Sequence, residues 1–184
     1  LERCRLELGV LLAVDLDFSY HAPSSDWKHT RSLLLDHFPH EIDYLHFLLG
    51  RKRFRAWKLI DDYNAYSVAG IQSDGVSFSF RGTRMLRSSV YPEIVRLRFA
   101  RGEVVLDTKN GVASVASHEI GKTRRVKALP TDYDRRFSSL ARNFARSIRG
   151  REANYLDLED IRVNTESSIM LAHTGEYRYH PMEK

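Results

Sequence analysis

Titratable side chains are concentrated in one short segment, LLLDHFPHEIDYLHFLLG at positions 33–50. Asp36, His40 and Asp43 follow one another at intervals of four and three residues, so a helix that includes His40 places Asp43 one turn further on the same side, and Asp36 is close to His40 in sequence. A neutral histidine in such a position can accept a proton, and a nearby carboxylate can orient its ring or bind a substrate hydroxyl. The spacing therefore indicates His40 as a general base, with Asp36 and Asp43 as supporting carboxylates.

The helix that carries these residues is expected to begin near Pro39 and to end at Gly50. Proline suits the first turn of a helix and disfavours helical geometry at the preceding residue, Phe38. His40 would then lie in the first turn, where the helix dipole disfavours a positive charge and keeps the imidazole neutral. The alternative is that Asp36 only caps the helix and His40 is a structural histidine. The spacing alone does not decide between the two.

The composition limits the kind of protein that carries this segment. A length of 184 residues favours one domain, and 42% hydrophobic with 29% charged residues excludes a disordered chain. No apolar run is long enough to cross a membrane and the N-terminal residues lack a signal-peptide pattern, so we expect a cytoplasmic protein without a membrane partner. Cys4 is the only cysteine, which excludes an intrachain disulfide and a cluster of thiolate metal ligands.

The net charge of +5 keeps anionic partners open. The segment 135–151 predicts an amphipathic helix with a solvated basic face. Its two phenylalanines, Phe137 and Phe144, are expected on the opposite, apolar side of this helix. The basic face thus has no aromatic residue to stack on bases, so nucleic acid is not an expected partner.

The remaining elements follow from hydrophobic periodicity and turn residues. A short helix over 1–8 is expected to end at Gly9, and VDLDFSY at 14–20 alternates as a strand with one buried face. Further strands are predicted at 54–60, 65–72, 76–81, 84–91, 93–99, 103–108 and 175–181, and helices at 132–150 and 157–172. Strands this closely spaced leave no room for crossover helices. The prediction is an α+β fold with a largely antiparallel open sheet.

One side of this sheet is apolar and is expected to be covered by the helices; its residues are Val76, Phe78, Phe80, Val95, Leu97 and Phe99. The other side, which we call the open face, carries Ser77, Ser79, Arg81, Arg96 and Arg98. An extensive polar face of this kind is available for a second subunit.

Two apparent motifs are not expected to be sites. ASHEIGKT at 116–123 fits a permissive phosphate-loop pattern, but a real one needs a long helix after the lysine, and Pro130 follows too soon. A metal site would require the side chains of Asp36, His37, His40 and His46 to converge, and the two histidines beside Pro39 need not do so. No metal is therefore expected.

The segment also resembles the one that opens the substrate domain of the glucose–fructose oxidoreductase/inositol dehydrogenase/MocA family. In that family an aspartate is followed four, seven and fourteen residues later by histidine, aspartate and glycine, the intervals of Asp36, His40, Asp43 and Gly50. The hairpin DGVSFSFRG, the strands EIVRLRFARGEVVLDT, the helix LARNFARSIRG and the end AHTGEYRYH come in the family's order. The resemblance covers nearly the whole chain.

The resemblance implies an enzyme that transfers hydride between NAD or NADP and a secondary alcohol of a sugar, cyclitol or related polyol. His40 would exchange the hydroxyl proton and Asp36 would act beside it. The implied substrate contacts are Asp36, Asp43, Trp27, Lys28 and Arg31. The open face would form a homodimer or tetramer.

Family members bind the dinucleotide in an N-terminal domain with a G-x-G-x-x-G turn and carry a lysine in a Glu-Lys-Pro motif, and this sequence has neither. Residues 1–184 are therefore expected to be the substrate-binding and oligomerisation domain alone, inactive by itself. The alternative is a catalytically inactive, stand-alone binding or oligomerisation module with an anionic or protein partner.

Overall fold

The computed structural model describes residues 1–19, 32–62, 64–84, 93–108, 110–119, 121–127, 133–153 and 158–181. The helices in this part of the chain are α1 Glu2–Leu8, α2 Leu33–Leu49, α3 Tyr133–Ile148 and α4 Leu158–Thr174. The strands are β1 Leu11–Phe18, β2 Phe54–Asp61, β3 Ala65–Gln72, β4 Ser77–Thr83, β5 Glu93–Phe99, β6 Gly102–Asp107, β7 Val112–Ser117, β8 Lys122–Lys127 and β9 Glu176–Tyr179.

The strands form one nine-stranded sheet in the order β8-β7-β6-β5-β1-β4-β3-β2-β9. β1 pairs in parallel with β4, and every other neighbouring pair is antiparallel. Asp74-Gly75 turns the chain between β3 and β4, with Gly75 at φ 88°, as the sequence predicts. The α+β class with a largely antiparallel open sheet is confirmed.

One face of the sheet is covered by α2 and α4. The predicted apolar side is buried, and Phe80 lies against Phe38 of α2 with 5.9 Å between ring centroids. Leu45 of α2 and Leu171 of α4 are fully buried in the same core. Burying each such side chain contributes roughly 1.5–3 kcal/mol. The fold thereby fixes α2, and the titratable residues on it, against the centre of the sheet.

The start of α2 differs from the prediction, because the helix begins at Leu33 and contains Pro39 in its interior. The side chain of Ser32 caps it by accepting a hydrogen bond from the Leu35 backbone N–H at 3.4 Å. A proline inside a helix costs about 3 kcal/mol, whereas burying Leu33 and Leu34 stabilises the longer helix by about 3–6 kcal/mol. Asp36 therefore lies in the first turn and His40 in the second, so the argument that the helix dipole keeps His40 neutral is wrong.

Other local predictions have mixed outcomes. α1 ends at Gly9 as expected, whereas β7 and β8 were not predicted. ASHEIGKT runs from β7 through a turn into β8 and starts no helix, which confirms that it is not a phosphate loop. The predicted strand over 84–91 lies outside the described residues, apart from Arg84 in a bend.

α3 forms where the sequence predicts a helix, with Arg142, Arg146 and Arg149 in or next to it exposed. Two of its apolar side chains, Phe144 and Ile148, are exposed as well. No helix in the described part of the chain is long and apolar enough to span a membrane.

Candidate functional site

The outer side of α2 carries the two residues predicted to be catalytic. Asp36 and His40 lie one helical turn apart and are both exposed. Arg84, at the end of β4, lies next to them with its Nη2 atom 4.0 Å from Oδ2 of Asp36. The Arg84 side chain is 4% exposed and that of Asp36 is 43% exposed. A buried guanidinium thus faces an accessible carboxylate, and each partly compensates the charge of the other.

Arg84 is held in place by its backbone, because its N–H donates a hydrogen bond of 2.8 Å to the carbonyl oxygen of Asn64. Its position at the end of β4 brings a residue far along the chain beside the first turn of α2. The sequence reasoning missed Arg84, and no local pattern around it indicates a site.

His37 lies beneath the surface of the site. Its ring centroid is 6.5 Å from that of His40 and 6.1 Å from that of Tyr66 on β3. Burial lowers the pKa of His37 to about 4; Asp36 opposes this effect, and electrostatic repulsion from His40 and Arg84 adds to it. His37 is therefore a neutral imidazole at physiological pH, in contact with the aromatic ring below it.

The innermost layer of the site consists of Glu41 and Tyr66. Glu41 is fully buried, and its Oε1 accepts a hydrogen bond from the Tyr66 hydroxyl. Burial raises the pKa of Glu41 to about 8, although the Tyr66 hydrogen bond lowers it and Asp17 raises it further. The sequence reasoning missed this pair. The available signal was a glutamate inside the apolar stripe of α2, between Phe38 and Leu45.

The remaining predicted site residues are Asp43, Trp27, Lys28 and Arg31. Asp43 is exposed one turn beyond His40, and no described hydrogen bond or ion pair joins the two. Trp27, Lys28 and Arg31 lie outside the described residues. The roles assigned to His40, Asp36 and Asp43 from the sequence stay predictions.

His46, the last histidine of the segment, faces a different part of the core. It is buried against Tyr179 and Phe54, with ring centroids 5.5 and 6.2 Å away. Among the described residues, no group of three or more His, Cys, Asp or Glu side chains is placed to hold a metal ion.

The open face lies on the opposite side of the sheet from α2. Asp15 of β1 accepts a hydrogen bond of 2.7 Å from Ser79 and lies 3.0 Å from Arg98. Asp17 pairs with Arg81 at 3.0 Å. These residues line a cavity of about 280 Å³. The polar residues thus lie on the side predicted from the alternation.

No protein-family model matches the chain, and no curated protein matches its sequence. Solved structures do resemble it. Levoglucosan dehydrogenase in complex with NADH and levoglucosan superposes with a TM-score of 0.75 at 14% identity, covering 96% of this chain and 61% of that chain. UDP-N-acetylglucosamine 3-dehydrogenase from Acidithiobacillus ferrooxidans gives a TM-score of 0.69 at 12% identity, covering 92% of this chain and 55% of that chain.

At these identities the likeness is one of fold, and the chain spans 61% and 55% of the lengths of those two proteins. The structural neighbours are oxidoreductases of the glucose–fructose oxidoreductase/inositol dehydrogenase/MocA type. The predicted resemblance to the C-terminal domain of that family is therefore confirmed at the level of the fold.

Proposed function

We propose that this chain is the substrate-binding domain of an NAD(P)-dependent oxidoreductase that acts on a secondary alcohol of a sugar, cyclitol or related polyol. The observation that carries the proposal is the exposed pair Asp36 and His40, one helical turn apart beside the buried Arg84. It occurs in a fold shared with levoglucosan dehydrogenase, whose structure was determined in complex with NADH and levoglucosan.

Each residue of the pair has a role that its position allows. In the oxidation, an imidazole nitrogen of His40 accepts the hydroxyl proton of the substrate while the carbonyl bond forms, and in the reduction it returns that proton. Asp36 accepts a hydrogen bond from a neighbouring substrate hydroxyl or orients His40. Arg84 partly balances the charge of Asp36 from below, so that the carboxylate at the rim of the site lies next to a compensating charge.

The nicotinamide, when bound, supplies the hydride acceptor and donor. The ten glycines of this sequence include no two that are two residues apart, so the chain itself has no dinucleotide-binding G-x-G-x-x-G turn. A second domain of the same enzyme would hold the cofactor. The outward position of His40 and Asp36 fits this arrangement, because both are accessible from the side away from the sheet.

The test uses the full natural protein that contains this chain. Purified enzyme is incubated with a panel of sugars, cyclitols and polyols and either NAD⁺ or NADP⁺, and reduced nicotinamide is followed by absorbance. With an active substrate, His40→Asn is expected to lower kcat by about 10²–10⁴-fold, the range typical of a general base. His118→Asn is the matched control, since His118 is an exposed histidine in the turn between β7 and β8.

Two outcomes count against the proposal. Unchanged kcat in His40→Asn removes His40 from the chemistry. If no alcohol on the panel is oxidised with either cofactor, the domain is better described as the inactive binding or oligomerisation module.

We also propose that a second copy of the chain covers the open face, to give a homodimer or a tetramer. The support is the row of ion pairs around Asp15 and Asp17, together with Ile71, which lies on the same face and is 42% exposed.

Light scattering after size exclusion measures the mass of the assembly in solution. Ile71→Glu is expected to yield the monomer, whereas Ile169→Glu, at an exposed position on α4, leaves the mass unchanged. A wild-type monomer contradicts the proposal.

A further inference from the structure

Glu41 is a buried carboxyl group for which the function proposed so far has no use. It follows His40 in the sequence and lies one helical turn after His37, on the side of α2 that faces the sheet. It is fully buried, and burying a carboxyl group costs several kcal/mol when it is ionised and not fully paired. A leucine at this position would continue the apolar stripe of α2. The presence of a glutamate therefore points to a role other than packing.

The partner of Glu41 is held in place by the sheet. Tyr66 is 1% exposed and lies in register with Gly82 of β4. A Cβ atom at Gly82 would lie 2.5 Å from Cε1 of Tyr66 and 2.3 Å from the carbonyl oxygen of Phe18, so only glycine allows the ring to lie there. The Tyr66 hydroxyl is thus fixed where it donates to Glu41.

The charges around Glu41 come from several elements. On its own helix, His37 lies against Tyr66, the partner of Glu41, with 6.1 Å between ring centroids, and on β1 Asp17 is the carboxylate that acts on Glu41. Arg84 acts on His37 and Asp36 at the rim. On α4 the buried side chains include Ser167 and Ser168, whose hydroxyls donate to a carbonyl of α4 itself. No described cation forms an ion pair with Glu41.

We propose that Glu41 is a positioning residue of the candidate site: it holds a titratable proton beneath His37 and His40 and, through Tyr66, fixes the turn of α2 that presents His40. The effect on catalysis rests on the function proposed above, whereas the buried pair itself does not.

The proposal has a specific electrostatic consequence. When Glu41 releases its proton, a negative charge arises next to His40 and one turn from His37. A nearby negative charge favours the protonated form of an imidazole. Since the pKa of Glu41 is raised to about 8, this change falls in the mildly alkaline range.

Nuclear magnetic resonance of the 184-residue chain tests the buried pair without any need for activity. The ring C–H signals of His37 and His40 are followed from acid to alkaline pH. In the wild type they are expected to show an additional inflection near pH 8, where Glu41 ionises. Glu41→Gln, which retains the acceptor for Tyr66, abolishes this inflection. Tyr66→Phe moves it to higher pH, because the Tyr66 hydrogen bond lowers the pKa of Glu41.

Glu119→Gln, at an exposed position in the turn between β7 and β8, is the control and leaves the inflection in place. An inflection that persists in Glu41→Gln, or that is missing from the wild type, overturns the proposal.

Kinetics of the full enzyme then test the positioning role. In Glu41→Gln we expect the alkaline inflection of kcat/KM to disappear while the neutral rate is largely kept, and in Glu41→Leu, which cannot accept the Tyr66 hydrogen bond, kcat falls at every pH. A loss that is the same at every pH in Glu41→Gln would indicate a purely structural role and contradict the proposal. A wild type without dehydrogenase activity would refute the proposed function but leave the titration result standing.

Discussion

Replacement of Glu41 by glutamine is expected to change how the stability of the chain depends on pH. The pKa of Glu41 rises from 4.5, its ordinary value, to about 8 in the folded protein because the carboxyl is buried. Below pH 4.5 the group is protonated in both the folded and the unfolded chain. Between these two values the unfolded chain releases the proton and the folded chain keeps it. The free energy of unfolding therefore falls as pH rises through this window, and the fall is complete above pH 8.

The size of the effect follows from the difference between the two pKa values. Each pKa unit corresponds to about 1.36 kcal/mol, so the shift from 4.5 to about 8 removes about 5 kcal/mol in total, of which about 3 kcal/mol is already lost at pH 7. This is a large part of the roughly 5–15 kcal/mol that stabilises a typical domain. Glu41→Gln removes the ionisation and with it the loss.

The two proteins should be equally stable in acid. Oε2 of Glu41 has no hydrogen-bond partner among the described residues, so the O–H of a neutral carboxyl and the NH₂ of an amide are both uncharged groups without a partner at this position. The stability curves are therefore expected to coincide below pH 4.5 and to diverge in favour of Glu41→Gln as pH rises.

Urea unfolding at a series of pH values measures this divergence, provided that the m-values of the two proteins agree. Glu119→Gln, an exposed substitution, controls for the general effect of removing a negative charge. Parallel curves for wild type and Glu41→Gln across the whole range would refute the reasoning, because they would show that Glu41 is not the group that titrates.

Three further predictions concern the surroundings of this pair. His37→Asn should remove a loss of stability in acid: the pKa of His37 is lowered from 6.5 to about 4, so the folded chain loses about 3 kcal/mol as pH falls through this window, and urea curves for the variant should be flatter there. Gly82→Ala should destabilise the chain by about 1–3 kcal/mol, because the added methyl group meets the carbonyl oxygen of Phe18 at 2.3 Å, and an unchanged urea midpoint would contradict that close approach. Leu45→Ala should cost about 2–5 kcal/mol by leaving a cavity between α2 and the sheet, whereas a loss below 1 kcal/mol, as for a surface site, would contradict its burial.

Much of the sheet could be predicted because one of its faces is buried. Alternation of apolar and polar residues marks β1, β3, β4, β5 and β6, since every second side chain enters the core. β7 and β8 were missed because neither has a buried face of this kind. Their side chains are exposed or half-buried where described, and these strands are held by backbone pairing, which leaves no hydrophobic pattern in the sequence.

The start of α2 shows where a local rule fails. Proline disfavours a helix that runs through it, and this rule predicted a helix beginning near Pro39. The rule takes no account of the burial of Leu33 and Leu34 against the sheet, which favours the longer helix. That burial depends on strands from other parts of the chain. The error carried over to His40, whose position in the helix determined the predicted effect of the dipole.

The site was predictable only where it is local in sequence. The spacing of Asp36 and His40 brings them close in sequence without any knowledge of the fold, although the predicted helix, which began near Pro39, left Asp36 outside it. Arg84 and Tyr66 reach the site through the pairing of β3 and β4, so their presence depends on the tertiary structure. Glu41 lies between these cases, because a carboxyl group in an apolar stripe is visible in the sequence but its partner is not.

The place of β1 in the sheet has a consequence for synthesis on the ribosome. β1 leaves the exit tunnel before both strands that flank it, because it lies between β4 and β5, and Ser79, which bonds to Asp15, comes 64 residues later. At roughly 5–20 residues per second, β1 waits on the order of 3–13 seconds for its first partner. A waiting strand with two bare edges can pair with other nascent chains. Asp15 and Asp17 place a negative charge at alternate positions of this strand, so the same strand in a neighbouring nascent chain is repelled. In the folded chain the same two residues pair with Arg98 and Arg81.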